Sequence, residues 1–184
     1  MEFIATIVAW AVQLIGLPSP INNTSFFDIQ NRLSPGAHVY LPGSKGFEDV
    51  VTRWSMRDVP TFRLVVAPSI ENGVVEVVKY ANELDIPFLA VTGGHGAITT
   101  VGSLEDGIGI WVAALDSVKI DRYGSFVTIG GGTLTKSVTD TLWAAGKQTV
   151  TGIGECTSYL GPGLGGGHGA LQGRYGLISD QSSP

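Results

Sequence analysis

The chain has 184 residues, of which 43% are hydrophobic and 15% charged. That is enough apolar material for a buried core in about one domain, and too little charge for a disordered chain. A formal net charge of −5 with 11 scattered Lys and Arg argues against nucleic acid or an anionic membrane as partner. Oligomeric state is not legible, and one cysteine, unable to form an internal disulfide, leaves the compartment open.

The chain divides into residues 1–20, an extension over 21–60, and a domain over 61–184. The first segment holds an apolar run from Phe3 to Leu17, broken only by Thr6 and Gln13. It is short for a membrane span. It reads either as a secretory signal or as an N-terminal helix; Glu2 and the lack of Lys or Arg weigh against the first. Overlapping acceptor patterns for N-glycosylation follow at Asn22 and Asn23. Localisation stays open between secreted and cytoplasmic.

Residues 35–60 read as loop and short irregular elements, punctuated by Pro and Gly. "TFRLVVAP" (61–68) is a strand stopped by Pro68. Ser69 is placed to cap a helix whose face is Val74, Val77, Val78, Ala81 and Leu84, with Asn72 where a capping box would want Glu or Gln. "IPFLAVT" (86–92) is the next strand, so this stretch is a βαβ unit with a parallel pair. "GIGIWVAA", "SVKID" and "SFVTIGGG" are short strands, with a turn at Asp121-Arg122-Tyr123-Gly124. A helix over 134–145 shows Leu134, Val138 and Leu142 on one face and Gly146 as its stop; "KQTVT" (147–151) is a last strand. The expected class is α+β, a small βαβ lobe followed by a β-rich lobe.

Glycine is the outlier: 26 of 184 residues, about 14% against roughly 7% in average proteins, concentrated at 93–96, 130–132 and 152–176. The four letters GGHG occur at 93–96 and again at 166–169. A strand that ends in two glycines can turn its N–H groups into a concavity, a nest for a phosphate, to which Thr92 adds a hydroxyl. On that reading Thr92, Gly93, Gly94, His95, Gly96 and Ala97 cradle a pyrophosphate. The alternative is a tight turn with a surface histidine. His38, His95, His168 and Cys156 show no metal-ligand spacing, so no metal is expected. A hydrolase with Cys156 as nucleophile and His95 or His168 as base is allowed by residue type alone. "GPGLGG" (161–166) fits G-x-G-x-x-G, but it neither leaves a strand directly nor opens a long helix, which rejects the NAD type.

Three pieces in this order and spacing resemble the FAD-binding domain of the berberine bridge enzyme-like oxidoreductases, in the vanillyl-alcohol oxidase superfamily. They are "FRLVVAPSIENGVVEVVKYANELDIPFLAVTGGHG", "SVKID" with "VTIGGGTL", and "LWAAGKQTVTGIGECTSYLGPGLGGGHGALQGRYGLISDQ". The resemblance implies a PCMH-type FAD-binding domain of α+β class. It implies FAD bound bicovalently, with His95 bonded to the 8α-methyl and Cys156 to C6 of the flavin. Gly152, Gly154, Gly161 and the glycines at 165–167, Gly166 and Gly167 among them, would let the chain pass close to the ring. Two covalent anchors would hold the ring without a deep pocket and raise its potential. The activity implied is oxidation of an alcohol, sugar or amine-type substrate by hydride transfer to the flavin, as in fungal secondary metabolism.

Two features depart from the family pattern. Tyr159 stands three residues after the cysteine, where Val, Ile or Leu is usual at a position that governs oxygen access. The pattern of the family also continues past "GLISDQ", where this chain stops, and the missing part usually supplies the catalytic base. No catalytic residue is therefore assigned. The competing expectation is a truncated, non-catalytic flavin-domain fragment.

Overall fold

The computed structural model describes residues 23–182; the N-terminal apolar run, with its signal-or-helix alternative, lies outside them. In chain order the elements are α1 (Asn23–Arg32), β1 (His38–Tyr40), α2 (Phe47–Val51), β2 (Phe62–Ala67), α3 (Glu71–Glu83), β3 (Phe88–Val91) and β4 (Gly107–Trp111). There follow β5 (Val118–Ile120), β6 (Val127–Ile129), α4 (Thr135–Ala144), α5 (Leu160–Leu164) and α6 (Gln172–Tyr175). The expected α+β class holds. Among the described residues no helix is long and apolar enough to cross a membrane.

The first lobe is a four-stranded sheet in the order β1-β2-β4-β3, with β1 antiparallel to β2 and the other pairs parallel. The expected βαβ unit is present, but β2 and β3 are not neighbours; β4 lies between them. Burial explains the insertion. β4, "GIGIW", is buried along nearly its whole length, whereas β3, "FLAV", keeps Phe88 and Ala90 exposed and takes the edge. Periodicity within a strand reports its faces, not its neighbours. β1, read from sequence as irregular loop, adds the antiparallel edge.

Register puts Leu64 opposite Ile108, Val65 opposite Gly109 and Val66 opposite Ile110. Side chains alternate across the pleat. Leu64, Val66, Ile108 and Ile110 pack with Val77, Tyr80 and Ala81 of α3 and Ile29 of α1. Val65 turns the other way, onto Phe47 and Val50 of α2. Arg32 clamps α1 to α3 through Glu83 at 2.9 Å while also bonding Asp28. The anticipated Ser69 cap is not made. Ile70 occupies the N-cap without a side-chain bond, and the Ser69 hydroxyl instead donates to the carbonyl of Pro35 at 3.0 Å.

The second lobe is built on the β5–β6 hairpin. Its turn closes on Asp121, whose carboxylate accepts the N–H groups of Tyr123, Ser125 and Phe126 at 3.1, 2.6 and 2.7 Å. Val138 and Leu142 of α4 join Val150, Tyr159 and Ile178 in a core lined by the hairpin's Val118, Ile120, Val127 and Ile129. Leu134, expected on that face, sits at the N-cap and bridges to Ser158 instead. Gly146 (φ 66°) stops α4: its N–H reaches Trp143 and that of Lys147 reaches Leu142. Residues 147–151 form no strand. Val150 is buried in the core and its carbonyl accepts the Tyr159 hydroxyl, at 3.2 Å. Thr151 faces Gly169 so closely that a Cβ there would lie 1.9 Å from the Thr151 carbonyl oxygen. A stretch bonded in these irregular ways has no partner ladder to join.

Candidate functional site

β3 ends at Val91, and the chain turns through residues 92–97 at the carboxyl end of the parallel strands. Gly94 adopts φ 64°, and a Cβ on it would lie 3.1 Å from the Thr52 carbonyl oxygen, so the turn needs glycine. The segment before β2 braces the turn. The Trp54 N–H donates to the Gly94 carbonyl at 3.1 Å. The Arg53 guanidinium donates through Nη2 to the Gly96 carbonyl at 3.0 Å. Both carbonyls flanking His95 therefore point at residues 53–54. In a trans peptide the C=O and N–H are opposed, so the His95 and Ala97 N–H groups point away from that segment. Among the described residues, the N–H groups of residues 93–97 find no protein acceptor.

The second wall comes from residues 152–162. The first turn of α4 holds it: the Thr135 N–H donates to Thr157 at 2.9 Å and the Lys136 N–H to Glu155 at 3.0 Å. Tyr159 donates its N–H to Thr133 at 2.9 Å, and the Ser158 hydroxyl accepts the Gly161 N–H at 3.1 Å. The walls meet at Gly93, where a Cβ would stand 3.0 Å from His95 Nδ1 and 3.5 Å from the Ser158 nitrogen. Small residues at this junction let two backbones share one cleft.

Between the walls lies a cavity of about 510 Å³. Of the residues singled out from sequence, Thr92, Gly93, Gly94, His95, Gly96, Gly152 and Gly161 line it, as does Gly154. Ala97, Cys156, Gly166 and Gly167 do not. Cys156 is exposed, between cavity-lining Gly154 and Thr157. Gly166 and Gly167 bond their carbonyls to the N–H groups of Ser179 and Ile178, both at 3.0 Å, so they anchor the C-terminal segment. His168 does line the cavity, with Nδ1 2.8 Å from Gln172 Oε1. Tyr159 lies in the second core, 6% exposed, where burial pushes its phenol up. Sequence reasoning missed Arg53, Thr157, Ser158 and the rim residues Ile98 and Ile153. Arg53 carried no signal, standing 43 positions before its partner Gly96 in an irregular stretch.

No Asp or Glu is among the lining residues, and Arg53 is the only Lys or Arg there. A nest of free amides, a guanidinium and a volume within the usual range of small-molecule sites fit a group with a phosphate and a planar ring. FAD is such a group.

An amide nest at the carboxyl end of a parallel strand, opening on a cleft between two lobes, defines a cofactor-binding domain of α+β class. The model of the FAD binding domain family matches residues 62–182, and the chain belongs to that family. FAD-linked oxidoreductase chyH of Penicillium rubens is 49% identical over 98% of this chain and 37% of its own length. FAD-linked oxidoreductase chry5 of Gibberella zeae is 50% identical over 83% of this chain and 33% of its own. The chain thus spans about a third of the length of these relatives. Among solved structures, 6-hydroxy-D-nicotine oxidase of Arthrobacter nicotinovorans superposes with a TM-score of 0.73 at 28% identity, over 80% of this chain and 32% of that one. The Physcomitrella patens BBE-like 1 protein gives 0.76 at 21% identity, over 85% and 34%, which shows the shared PCMH-type fold.

Proposed function

We propose that this chain carries the FAD-binding part of an oxidoreductase that removes a hydride from an alcohol, sugar or amine-type carbon, with the flavin held covalently by His95 and Cys156. The observation that carries the reading is the orientation of the 93–97 turn. Both carbonyls beside His95 are held by residues 53–54, which leaves the amides of residues 93–97 unpaired for an anion. Bound FAD supplies the two-electron acceptor. The protein's part is to fix and orient it. His95 is exposed at the cavity wall and makes no hydrogen bond among the described residues, so its imidazole is available as a nucleophile. Cys156 is a free, exposed thiol on the other wall's segment. Gly94 and Gly96 flank His95, and Gly152, Gly154 and Gly161 line the cavity from the second segment, which leaves room for a flat ring. The fungal relatives make natural-product oxidation the setting we favour.

The test is spectroscopic. The purified chain, given FAD, should show flavin absorbance near roughly 450 nm that survives acid precipitation. Peptide mass mapping should find the flavin on His95 and Cys156. A chain that binds no flavin, or flavin located on neither peptide, would refute the reading.

A further inference from the structure

We propose that Arg53 is the residue that recognises the cofactor's diphosphate, so that the cavity selects a flavin dinucleotide over an uncharged flavin; this rests on the FAD reading above. The six arginines differ in one respect. Arg32 pairs with Asp28 and Glu83, Arg57 with Asp58 and Arg63 with Asp106. Arg122 and Arg174 lie over the rings of Tyr123 and Tyr175. Arg53 alone has neither a carboxylate nor an aromatic ring among the described residues, although it is only partly exposed and sits on a chain of net charge −5. One of its N–H groups donates to Gly96. A guanidinium has five such donors, so four are left at a wall that already presents unpaired amides.

Its placement is built rather than accidental. The Gly96 carbonyl holds the guanidinium end, and Arg53 Cα would lie 3.6 Å from a Cβ on Gly94. The side chain is fixed against the turn and lines the same cavity as Thr92, His95 and Gly96. A charged fork with free donors at the wall of a cavity that holds no carboxylate is matched to a diphosphate, whose charged oxygens can accept from it. An uncharged ligand would leave the guanidinium in a cleft without a partner. Arg53 thus has two separable roles: its N–H braces Gly96, and its charge meets the anion.

The two roles predict different results. In the full chain carrying His95→Ala and Cys156→Ala, flavin binding is reversible and can be titrated with FAD and with riboflavin, which lacks phosphate. Arg53→Ala should weaken FAD at least about tenfold and leave riboflavin within about twofold, the scale of one charge-assisted contact. Arg53→Lys should restore most of the FAD affinity. Arg53→Gln keeps a donor for Gly96 without the charge, and should resemble Ala toward FAD. Added salt should reduce the preference for FAD before the substitution and not after it. Equal loss of FAD and riboflavin would show a brace alone, and unchanged FAD binding would remove Arg53 from the site; either overturns the proposal. If Arg53→Ala fails to fold by circular dichroism, the comparison of Lys with Gln decides. Binding of neither ligand before Arg53 is altered would instead refute the FAD reading, and this proposal with it.

Discussion

Residues 93–96 and 166–169 are the same four letters in two different bonding environments. In the first copy the Gly94 and Gly96 carbonyls are held by Trp54 and Arg53, and the amides are left free at a cavity wall. In the second, the Gly166 and Gly167 carbonyls take the N–H groups of Ser179 and Ile178, and the histidine ring is tied to Gln172. Carbonyls are occupied in both copies. What differs is the partner: the segment before β2 holds the first copy, and the chain that follows holds the second.

Substitution of the glycines tests this contrast most severely. Gly167 has φ 76°, and a Cβ there would lie 2.7 Å from the Cβ of Ile178, itself 1% exposed. Gly167→Ala combines a disfavoured backbone with overpacking and should destabilise by about 2–4 kcal/mol in urea unfolding. Gly93→Ala meets mainly the movable His95 ring. It should cost less than about 1 kcal/mol in the same assay, yet lower flavin uptake. Equal stability losses at the two sites would mean that the copies are not specialised as described.

The histidines come next. His95→Ala should leave flavin attached only to the Cys156 peptide, and adding Cys156→Ala should release all of it on acid precipitation. His168→Ala should leave both attachments intact, because its ring is engaged by Gln172. Flavin lost from the His168 variant and retained by the His95 variant would reverse the assignment.

These experiments bear on what could be read from residues alone. β2, α3, β3 and β4 announce themselves through dense apolar runs, and of the face expected for α3 Val77 and Ala81 are buried and Val74 and Val78 pack on the core, whereas Leu84 is the exposed C-cap. Their lateral order was not legible, since pairing depends on which strand is buried on both sides. The turn at 92–97 was legible because glycine after a strand has few other uses. Arg53 was not, because its meaning comes from a contact 43 positions away. Residues 147–151 show the opposite failure: with β-branched Thr149, Val150 and Thr151 they read as a strand, but the Val150 carbonyl takes the Tyr159 hydroxyl and no ladder forms. The glycines at 165–167 look alike in sequence, and only the bonds of Gly166 and Gly167 to residues 178–179 separate packing from a role at the cavity.

Tyr159 sharpens the contrast on a finer scale. Its hydroxyl bonds the Val150 carbonyl inside the core that supports the second copy. Tyr159→Phe leaves that carbonyl without its partner and should cost about 0.5–1.5 kcal/mol, measured by thermal unfolding. The flavin spectrum should be unchanged, since the side chain is not at the cavity wall. A shifted flavin spectrum with unaltered stability would place the ring at the cofactor instead.

The smallest effect concerns pH. The backbone N–H of Phe126, with those of Tyr123 and Ser125, holds the Asp121 carboxyl below the usual range. A carboxylate favoured in the folded state contributes stability above its unfolded value, about 3.9, and loses it as pH falls through the lower folded value. Glu83 is shifted the same way by Arg32 in the other lobe, so acid destabilisation of the whole chain would not separate them. Asp121→Asn does. The difference in Tm between wild type and this variant should be constant at neutral pH and shrink as pH falls below about 4, because the protonated Asp121 then resembles the amide. Local exchange should fade in step: the Ser125 and Phe126 amides, protected by Asp121 at neutral pH, should lose that protection in the variant, while the amides of α3 keep theirs. A Tm difference that stayed level from neutral to acid pH would mean that solvent, not Asp121, satisfies this turn.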